Sequence, residues 1–353
     1  MTKEYALASG YSEIYERFCN GMYFLPSLYW SKSVIDYNKK HYGYNFNADE
    51  KLITGEELLN SDSTISNFYN NITTDKTLAL DIINFITDGQ VIARPYKNIN
   101  GKETLYLDPR VIIRIQHSLG MAAGNTETEA LVQGLSEIVE KEAYGYIFKN
   151  LDKPVYALNL DKLDNPNLLT IISKIKALGY DLYLLDLSYS CNLPTMMSLL
   201  IDRNNGILRF NLGSFPVFDI AAERVLTELY QGISSFNTDG ELAAVQVPYR
   251  IALEPDYFFK NNTNSFSGTI FPIDFLKNIK TVDTYNKEIF IDINSSNEEC
   301  LNYFIKLSEK NNIKFYYLNN SLSADLAAVS IFVTGNTYYN NLDGFNYHYE
   351  EEL

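Results

Sequence analysis

The chain has 353 residues, 46% of them apolar, and a formal net charge of −15 at pH 7. That length supports a sizeable core in one large domain or two, and no charge-free run of about 18 residues offers a membrane-spanning helix. The acidic balance excludes a nucleic-acid grip by the whole surface, which needs clustered Lys and Arg; an anionic ligand would need metal or a few placed arginines. Cys19, Cys191 and Cys300 have no CxxC spacing, so reduced thiols in a cytoplasmic protein are expected rather than a zinc site. Residues 1–20 carry Lys3, Glu4, Glu13, Glu16 and Arg17 and show no signal pattern.

The first predicted element is a helix that follows Met1 almost at once, with Thr2 as its N-cap. Residues 25–77 are rich in Asn, Asp and Ser and are expected to form a helical excursion over the surface. Residues 80–86 and 90–96 flank Asp88-Gly89, a hairpin signal, and Asn100-Gly101 starts another. Strand-like stretches 105–107 and 111–115 lead to a turn at 120–124 and a long helix. Strands are then expected at 155–160, 182–187, 197–201 and 207–212, with a helix at 168–178. A third helix, IAAERVLTELYQ, has Asp219 as N-cap candidate and Gly232 as C′ residue. A strand at 289–293, a helix at 297–311 and strands at 313–318 and 328–333 complete the pattern. Interleaved elements without a linker predict one α/β or α+β domain over residues 1–353.

Two stretches 124 positions apart are near copies. Residues 4–24 (EYALASGYSEIYERFCNGMYF) and 128–148 (TEALVQGLSEIVEKEAYGYIF) share nine of 21 positions. The matches include Gly10/Gly134, Ser12/Ser136, Glu13/Glu137 and Glu16/Glu140, and Arg17/Lys141 keeps its charge. On a helix each glutamate pair, spaced i and i+3, projects from one face. Two such helices facing each other hold four carboxylates about one point, a costly arrangement without cations. The expectation is a pseudo-symmetric acidic cage for Mg²⁺; the bland alternative is two unrelated solvated faces.

The second copy also carries Glu129, Gln133, Glu137 and Glu140 as one polar stripe, opposite Ala130, Leu131, Leu135, Ile138 and Val139. Thr126 and Glu129 read as a capping box in which Glu129 returns to the Thr126 amide. Gly124-Asn125-Thr126 at a helix N-terminus also presents free N–H groups to an anionic or polar ligand. In the third helix Arg224, Glu228 and Gln231 share a face. Arg224 and Glu228 read either as an intrahelical ion pair or as a guanidinium aimed at phosphate and oriented by Glu228. The P-loop, GxGxxG, GxSxG and HExxH motifs are absent. His41, His117 and His348 form no dyad, and packing is the expected role of His117.

The stretches GMAAGNTETEALVQGLSEIVEKEA, ALASGYSEIYERF and AAERVLTELYQG together resemble the YcaO superfamily, in order and over nearly the whole chain. The resemblance implies an ATP-binding α/β (α+β) fold with pseudo-symmetric helices packed on mixed sheets. It implies ATP and Mg²⁺ as cofactors, with Glu13, Glu16, Glu137 and Glu140 as metal ligands. Asn125, Glu129, Gln133, Lys141, Arg224 and Glu228 are the implied ATP contacts; no catalytic side chain is assigned. Lys141 stands where the family commonly has Arg, replacing a bidentate fork by a point charge. The segment that in the family precedes the first helix is absent, and 341–353 lacks the proline-rich tail of azoline-forming members. The chain is therefore expected to be short at both ends.

The activity implied by this resemblance is phosphorylation of a peptide backbone amide oxygen during maturation of a ribosomally made peptide, as in bacteriocins. An azoline or a thioamide results, with a precursor peptide as substrate and a peptide-recognition protein as partner. No nucleic-acid partner and no membrane span are expected, and homo-oligomerisation is left open. An accessory role in ribosomal protein methylthiolation is the second reading, supported by ERF at Arg17 and by YFLPSLYW. A non-catalytic scaffold of the same fold is the third.

Overall fold

The computed structural model describes residues 3–22, 49–150, 152–202, 207–233, 278–335 and 337. In chain order the elements are α1 (Lys3–Cys19), β1 (Lys51–Ile53), α2 (Gly55–Leu59), α3 (Ser63–Ile72), α4 (Lys76–Thr87), β2 (Val91–Asn98) and β3 (Thr104–Leu107). Then come α5 (Pro109–Gln116), β4 (Met121–Gly124), α6 (Glu127–Lys149), β5 (Val155–Leu158), α7 (Pro166–Lys176), β6 (Asp181–Asp186) and α8 (Ser188–Cys191). The last are β7 (Thr195–Asp202), β8 (Ile207–Ser214), α9 (Phe218–Ile233), β9 (Ile279–Val282), α10 (Asn297–Asn311), β10 (Ile313–Asn319) and β11 (Ala327–Gly335).

These elements form two compact units, divided within α6 at Ile138/Val139, the first also taking in Asn297–Asn340. Its sheet runs β1-β2-β10-β11-β4, with β3 also paired to β2, and all its pairings are antiparallel. Leu58, Ile65, Tyr69, Ile83, Val111 and Phe332 form the centre of its core. The second unit has the order β8-β7-β6-β5-β9, antiparallel except for the parallel β5–β9 pair. Both faces of this sheet are covered. Leu182, Leu184, Met196 and Leu200 join α7 and α9 residues on one side, and Leu185, Met197 and Leu199 pack with Ile147 and Phe210 on the other. That double burial explains why its strands read as continuous apolar runs.

The α10 helix spans the residues expected of it, and Asn100-Gly101 does connect the β2–β3 hairpin. Four expectations are corrected. The 80–86 stretch is helix α4, whose Asp75 cap accepts from Thr77 N–H at 2.8 Å. Asp88 (φ 56°) and Gly89 (φ 72°) close that helix, because two successive left-handed residues serve a helix C-terminus as well as a tight hairpin. The 111–115 stretch is helix α5, with Asp108 as N-cap and Pro109 in the first turn; its apolar run is buried all along, which hides the helical period. Residues 121–124 form β4, paired to β11, rather than a turn. At 289–293 the described residues form one bridge, Ile291 to Val217; the strand that joins β5 is 279–282.

Smaller corrections follow the same logic. Within 49–77, α2 and α3 bury Leu58, Ile65 and Tyr69 completely, so this stretch builds core instead of skirting the surface. Asp219 lies in the first turn of α9 and accepts from Asn165 Nδ2 at 2.7 Å, and Gly232 is still helical. Thr2, 23–48, His41, His348 and 341–353 lie outside the described residues. His117 closes α5 at φ 53° and is exposed, so the expected packing role is corrected: the left-handed residue that ends the helix turns its ring outward. Neighbouring protein and Arg114 lower its pKa.

The two copies of the repeat differ in surroundings. Gly134 brings α6 so close to the sheet that an added Cβ would lie 2.9 Å from Ile331 Cδ1 and 3.0 Å from the Gly120 carbonyl oxygen. Among the described residues a Cβ on Gly10 would meet nothing within 4 Å. On its other side α1 is fixed by Tyr15 Oη donating to the Leu326 carbonyl (3.0 Å) and Asn20 Nδ2 to that of Val329 (3.2 Å). Gly10→Ala should therefore stabilise the protein by up to about 1 kcal/mol through helix propensity. Gly134→Ala should destabilise it by about 1–3 kcal/mol through overpacking against backbone. Urea unfolding of the two variants checks this opposition of sign.

Candidate nucleotide and metal site

In the first unit the site grows from the start of α6. The β4 strand ends at Gly124, where a Cβ would stand 2.8 Å from Ala130 N, so the chain turns into the helix with no room for a side chain. Thr126 Oγ1 accepts from Glu129 N–H at 3.1 Å, as a capping residue does. The Glu129 carboxylate goes one residue further back than expected, accepting from the Asn125 backbone N–H (3.1 Å) and from Asn125 Nδ2 (3.1 Å). The expected return to Thr126 is thus corrected: Asn125 offers Glu129 two donors, its backbone N–H and its side-chain amide, and the carboxylate takes both. Asn125 and Gln133 are exposed and Glu129 is half-buried. One turn on, Glu137 is half-buried and its Oε2 accepts from Gly120 N–H at 3.4 Å.

The first copy supplies Glu13, Glu16 and Arg17. Arg17 stands between the two carboxylates, Nη2 at 3.6 Å from Glu13 and Nε at 3.4 Å from Glu16. Glu13 is 67% exposed and Glu16 only 16%. Burial pushes the Glu16 carboxyl up to about 8; Arg17 opposes the shift, while the charges of Glu137 and Glu13 add to it. Three carboxylates of the repeat therefore feel one another, and one is held where its negative charge is unfavourable. A bound cation would relieve that.

The second unit holds the remaining residues. Glu140 and Lys141 pair at 3.4 Å, each 19% exposed. On α9, Arg224 Nη1 donates to the Ser214 carbonyl at 3.1 Å and its guanidinium lies 5.8 Å from the Phe215 ring centroid. Among the described residues it forms no ion pair with Glu228, so the intrahelical alternative is corrected: β8 takes the guanidinium instead. Glu228 opens to solvent and receives Asn211 Nδ2 at 3.5 Å. Protein packed about it and the charge of Glu140 push its carboxyl up to about 7.

The four expected metal ligands are thus divided, Glu13, Glu16 and Glu137 in one unit and Glu140 in the other. Among the described residues no three His, Cys, Asp or Glu side chains stand close enough to hold an ion together. The donor set nevertheless fits Mg²⁺, which takes one or two carboxylates and leaves its other positions to water and phosphate oxygens. Sequence reasoning noted Arg17 as a charge match and within the ERF pattern, and did not single out Asn211. Arg17 had a signal, its register with Lys141; Asn211, a lone polar residue on a strand, had none.

Comparison with known proteins gives this arrangement a context. The family model described as YcaO cyclodehydratase, ATP- and Mg²⁺-binding, matches residues 1–336. The ribosomal protein S12 methylthiotransferase accessory factor YcaO of Escherichia coli strain K12 is 29% identical over 238 residues, 65% of this chain and 39% of that protein. An uncharacterised protein of Haemophilus influenzae is 29% identical over 246 residues, 67% of this chain and 40% of its own length. The chain thus spans about two-fifths of the curated relatives it matches. Among solved structures, a heterocyclase in complex with substrate and cofactor superposes with TM-score 0.56 at 16% identity, covering 84% of this chain and 42% of that one. The heterocyclase TruD does so with TM-score 0.51 at 16% identity, covering 87% and 46%. The likeness to these heterocyclases is one of fold, α+β with mixed sheets, and with a family model matched along almost its full length the chain belongs to the ATP- and Mg²⁺-binding YcaO family.

Proposed function

We propose that this chain uses ATP to activate a backbone amide of a ribosomally made peptide. The observation that carries the reading is the pair Glu13 and Glu16 held about Arg17 at 3.6 and 3.4 Å, with Glu16 only 16% exposed and its carboxyl raised by burial and by the charges of Glu137 and Glu13, on a helix that bears one of the family's acidic blocks. Glu13, Glu16, Glu137 and Glu140 would hold Mg²⁺, which supplies charge neutralisation between phosphate oxygens and carboxylates when bound. Asn125, Glu129, Gln133, Lys141, Arg224 and Glu228 would contact the nucleotide. Arg224, held by Ser214 and Phe215, offers a preset guanidinium to phosphate. Lys141 offers a point charge.

In the reaction the amide oxygen attacks the γ-phosphorus and ADP departs. A Cys, Ser or Thr side chain of the peptide then attacks the amide carbon, the phosphate leaves with the former amide oxygen, and an azoline remains. Attack by sulfide in place of the side chain gives a thioamide. The protein contributes placement and charge rather than a nucleophile. A precursor peptide and a partner that presents it are the proposed companions. The 29% identity to the E. coli accessory factor supports a second reading, assistance to ribosomal protein methylthiolation.

ATP with Mg²⁺ should raise the melting temperature. Saturation at about 100 times Kd adds roughly 2.7 kcal/mol. Glu137→Gln or Arg224→Ala should abolish the rise while leaving the ligand-free melting temperature within a few degrees. No rise at millimolar nucleotide would favour a scaffold that keeps the fold alone.

The raised Glu16 carboxyl sets a pH dependence. Its pKa lies near 8 in the folded protein and near 4.5 otherwise, so the folded state favours the protonated form. Ligand-free protein should accordingly lose stability as pH rises from about 5 to 8. Glu16→Gln should flatten that part of the profile in a thermal-melt series, and a wild-type slope of opposite sign would refute the assignment.

Mass spectrometry of the precursor peptide, incubated with protein, partner, ATP and sulfide, tests the reaction. Loss of one water reports an azoline, and replacement of oxygen by sulfur a thioamide. An unchanged peptide alongside intact nucleotide binding would turn the reading toward the accessory role.

A further inference from the structure

The end of β10 reaches both copies of the repeat. Asn319 closes the strand, and its Nδ2 donates to the Glu127 carboxylate, which also accepts from Tyr317 Oη at 3.0 Å. Glu127 opens α6, two residues after Asn125. The next residue, Asn320, turns to α1 instead. Its Nδ2 donates to Asn20 Oδ1 at 2.9 Å, and its Oδ1 accepts from Nη1 of Arg94 on β2 at 2.5 Å. Arg94 Nε lies 3.4 Å from the carboxylate of Glu50, whose side chain is fully buried. Asn20 Nδ2 donates onward to the Glu16 carbonyl (2.9 Å) and to that of Val329 (3.2 Å). The Glu16 carbonyl, in the last turn of α1, also accepts from Asn20 N–H at 3.0 Å. Asn20 and Asn320 are both buried, so this relay works away from water, where each hydrogen bond lost leaves a group unsatisfied.

We infer that Asn319 and Asn320 are positioning residues of the candidate site: Asn320 sets the turn of α1 that carries Glu16 and Arg17, and Asn319 sets the first turn of α6 beside Asn125 and Glu129. Two consecutive side chains of one strand thereby hold metal-bearing and nucleotide-bearing turns in a fixed relation. The inference rests on the proposed reading of ATP and Mg²⁺ and goes beyond it, because Arg94, Asn20, Asn319 and Asn320 are not themselves candidate ligands. Mg²⁺ demands near-octahedral geometry, so a carboxylate serves it only from a backbone held in place. The partly solvated pair of Glu16 with Arg17 at 3.4 Å is too weak to provide that hold. The relay from Arg94 through Asn320 and Asn20 does, since it ends on the backbone of Glu16 itself. Removing a group that orients a metal ligand costs about 10–100-fold in metal affinity. Acting through a carbonyl rather than the carboxylate, Asn320 belongs at the lower end of that range.

The probe is fluorescent trinitrophenyl-ATP, titrated into the full chain well below its melting temperature over a series of Mg²⁺ concentrations. Asn320→Ala should raise the Mg²⁺ concentration at half-saturation about tenfold, with nucleotide affinity at saturating Mg²⁺ near the wild-type value. Asn319→Ala should do the reverse. Asn20→Ser breaks the relay from the α1 side and should give the same Mg²⁺ shift as Asn320→Ala. Combining the two should not enlarge it, since members of one network are not additive. Thr64→Val deletes a buried hydrogen bond to Thr334 Oγ1 (2.8 Å) elsewhere in the same unit. It should lower the melting temperature and move neither midpoint, which separates positioning from loss of stability. In ligand-free protein, amide exchange should quicken at 13–20 in Asn320→Ala and at 125–129 in Asn319→Ala. A wild type that binds the probe, beside Asn320→Ala and Asn20→Ser variants with its Mg²⁺ midpoint, overturns the inference alone. An equal shift in Thr64→Val does the same. A wild type that binds no nucleotide removes the proposed function and this inference with it.

Discussion

A carboxylate taken out of water loses hydration, and at Glu16 the charges of Glu137 and Glu13 add to that cost. Much of the candidate site answers that constraint. Arg17 stands between Glu13 and Glu16, Lys141 lies against Glu140, and Gly120 N–H turns toward Glu137. These partners are long contacts of 3.4 to 3.6 Å, and partly solvated pairs of this kind contribute at most about 1 kcal/mol each. They neutralise only part of the charge. What they leave at Glu16 is a carboxyl whose negative charge stays unfavourable.

Packing supplies the precision that such weak pairs cannot. The α6 helix is pinned by the close contact at Gly134 and by buried Leu131, Leu135 and Ile138, so its acidic positions are fixed by its apolar ones. At its start, Glu129 ties the Asn125 loop back onto the helix. On α9, Ala221, Ala222, Val225 and Leu229 are buried, which fixes where Arg224 and Glu228 emerge. In each helix the polar face inherits its geometry from the opposite face.

How far the sequence disclosed this differed from element to element. Helix 297–311 was legible because its period is clean and Cys300, Phe304 and Leu307 keep to one side. Helix 109–116 was not, because five of its residues from 111 to 116 are buried and the run mimics a strand. Asp88-Gly89 misled for a different reason: one pair of left-handed residues serves two kinds of structure. The acidic positions were legible because they recur within the chain. Their division between two units was not, since no local pattern encodes which core a helical turn joins. Asn211 and the Ser214 carbonyl are long-range partners of the α9 residues, and only the folded backbone brings them near.

The repeat itself carries a further lesson. Its two copies agree where charge sits, at Glu13/Glu137 and Glu16/Glu140, and at the glycine one turn before. They disagree in environment: one glycine touches a sheet and the other does not, and the leucine and isoleucine matched beside it are buried in one copy and exposed in the other. Under the proposed function the shared acids have one reason in both copies, since a metal-bound phosphate draws on carboxylates. Packing explains the shared glycine in α6 alone. For α1 no atom among the described residues comes within 4 Å of a Cβ placed on Gly10, so the acidic face and the apolar face of the helix are separate demands, and a shared residue in the two copies does not imply a shared packing role.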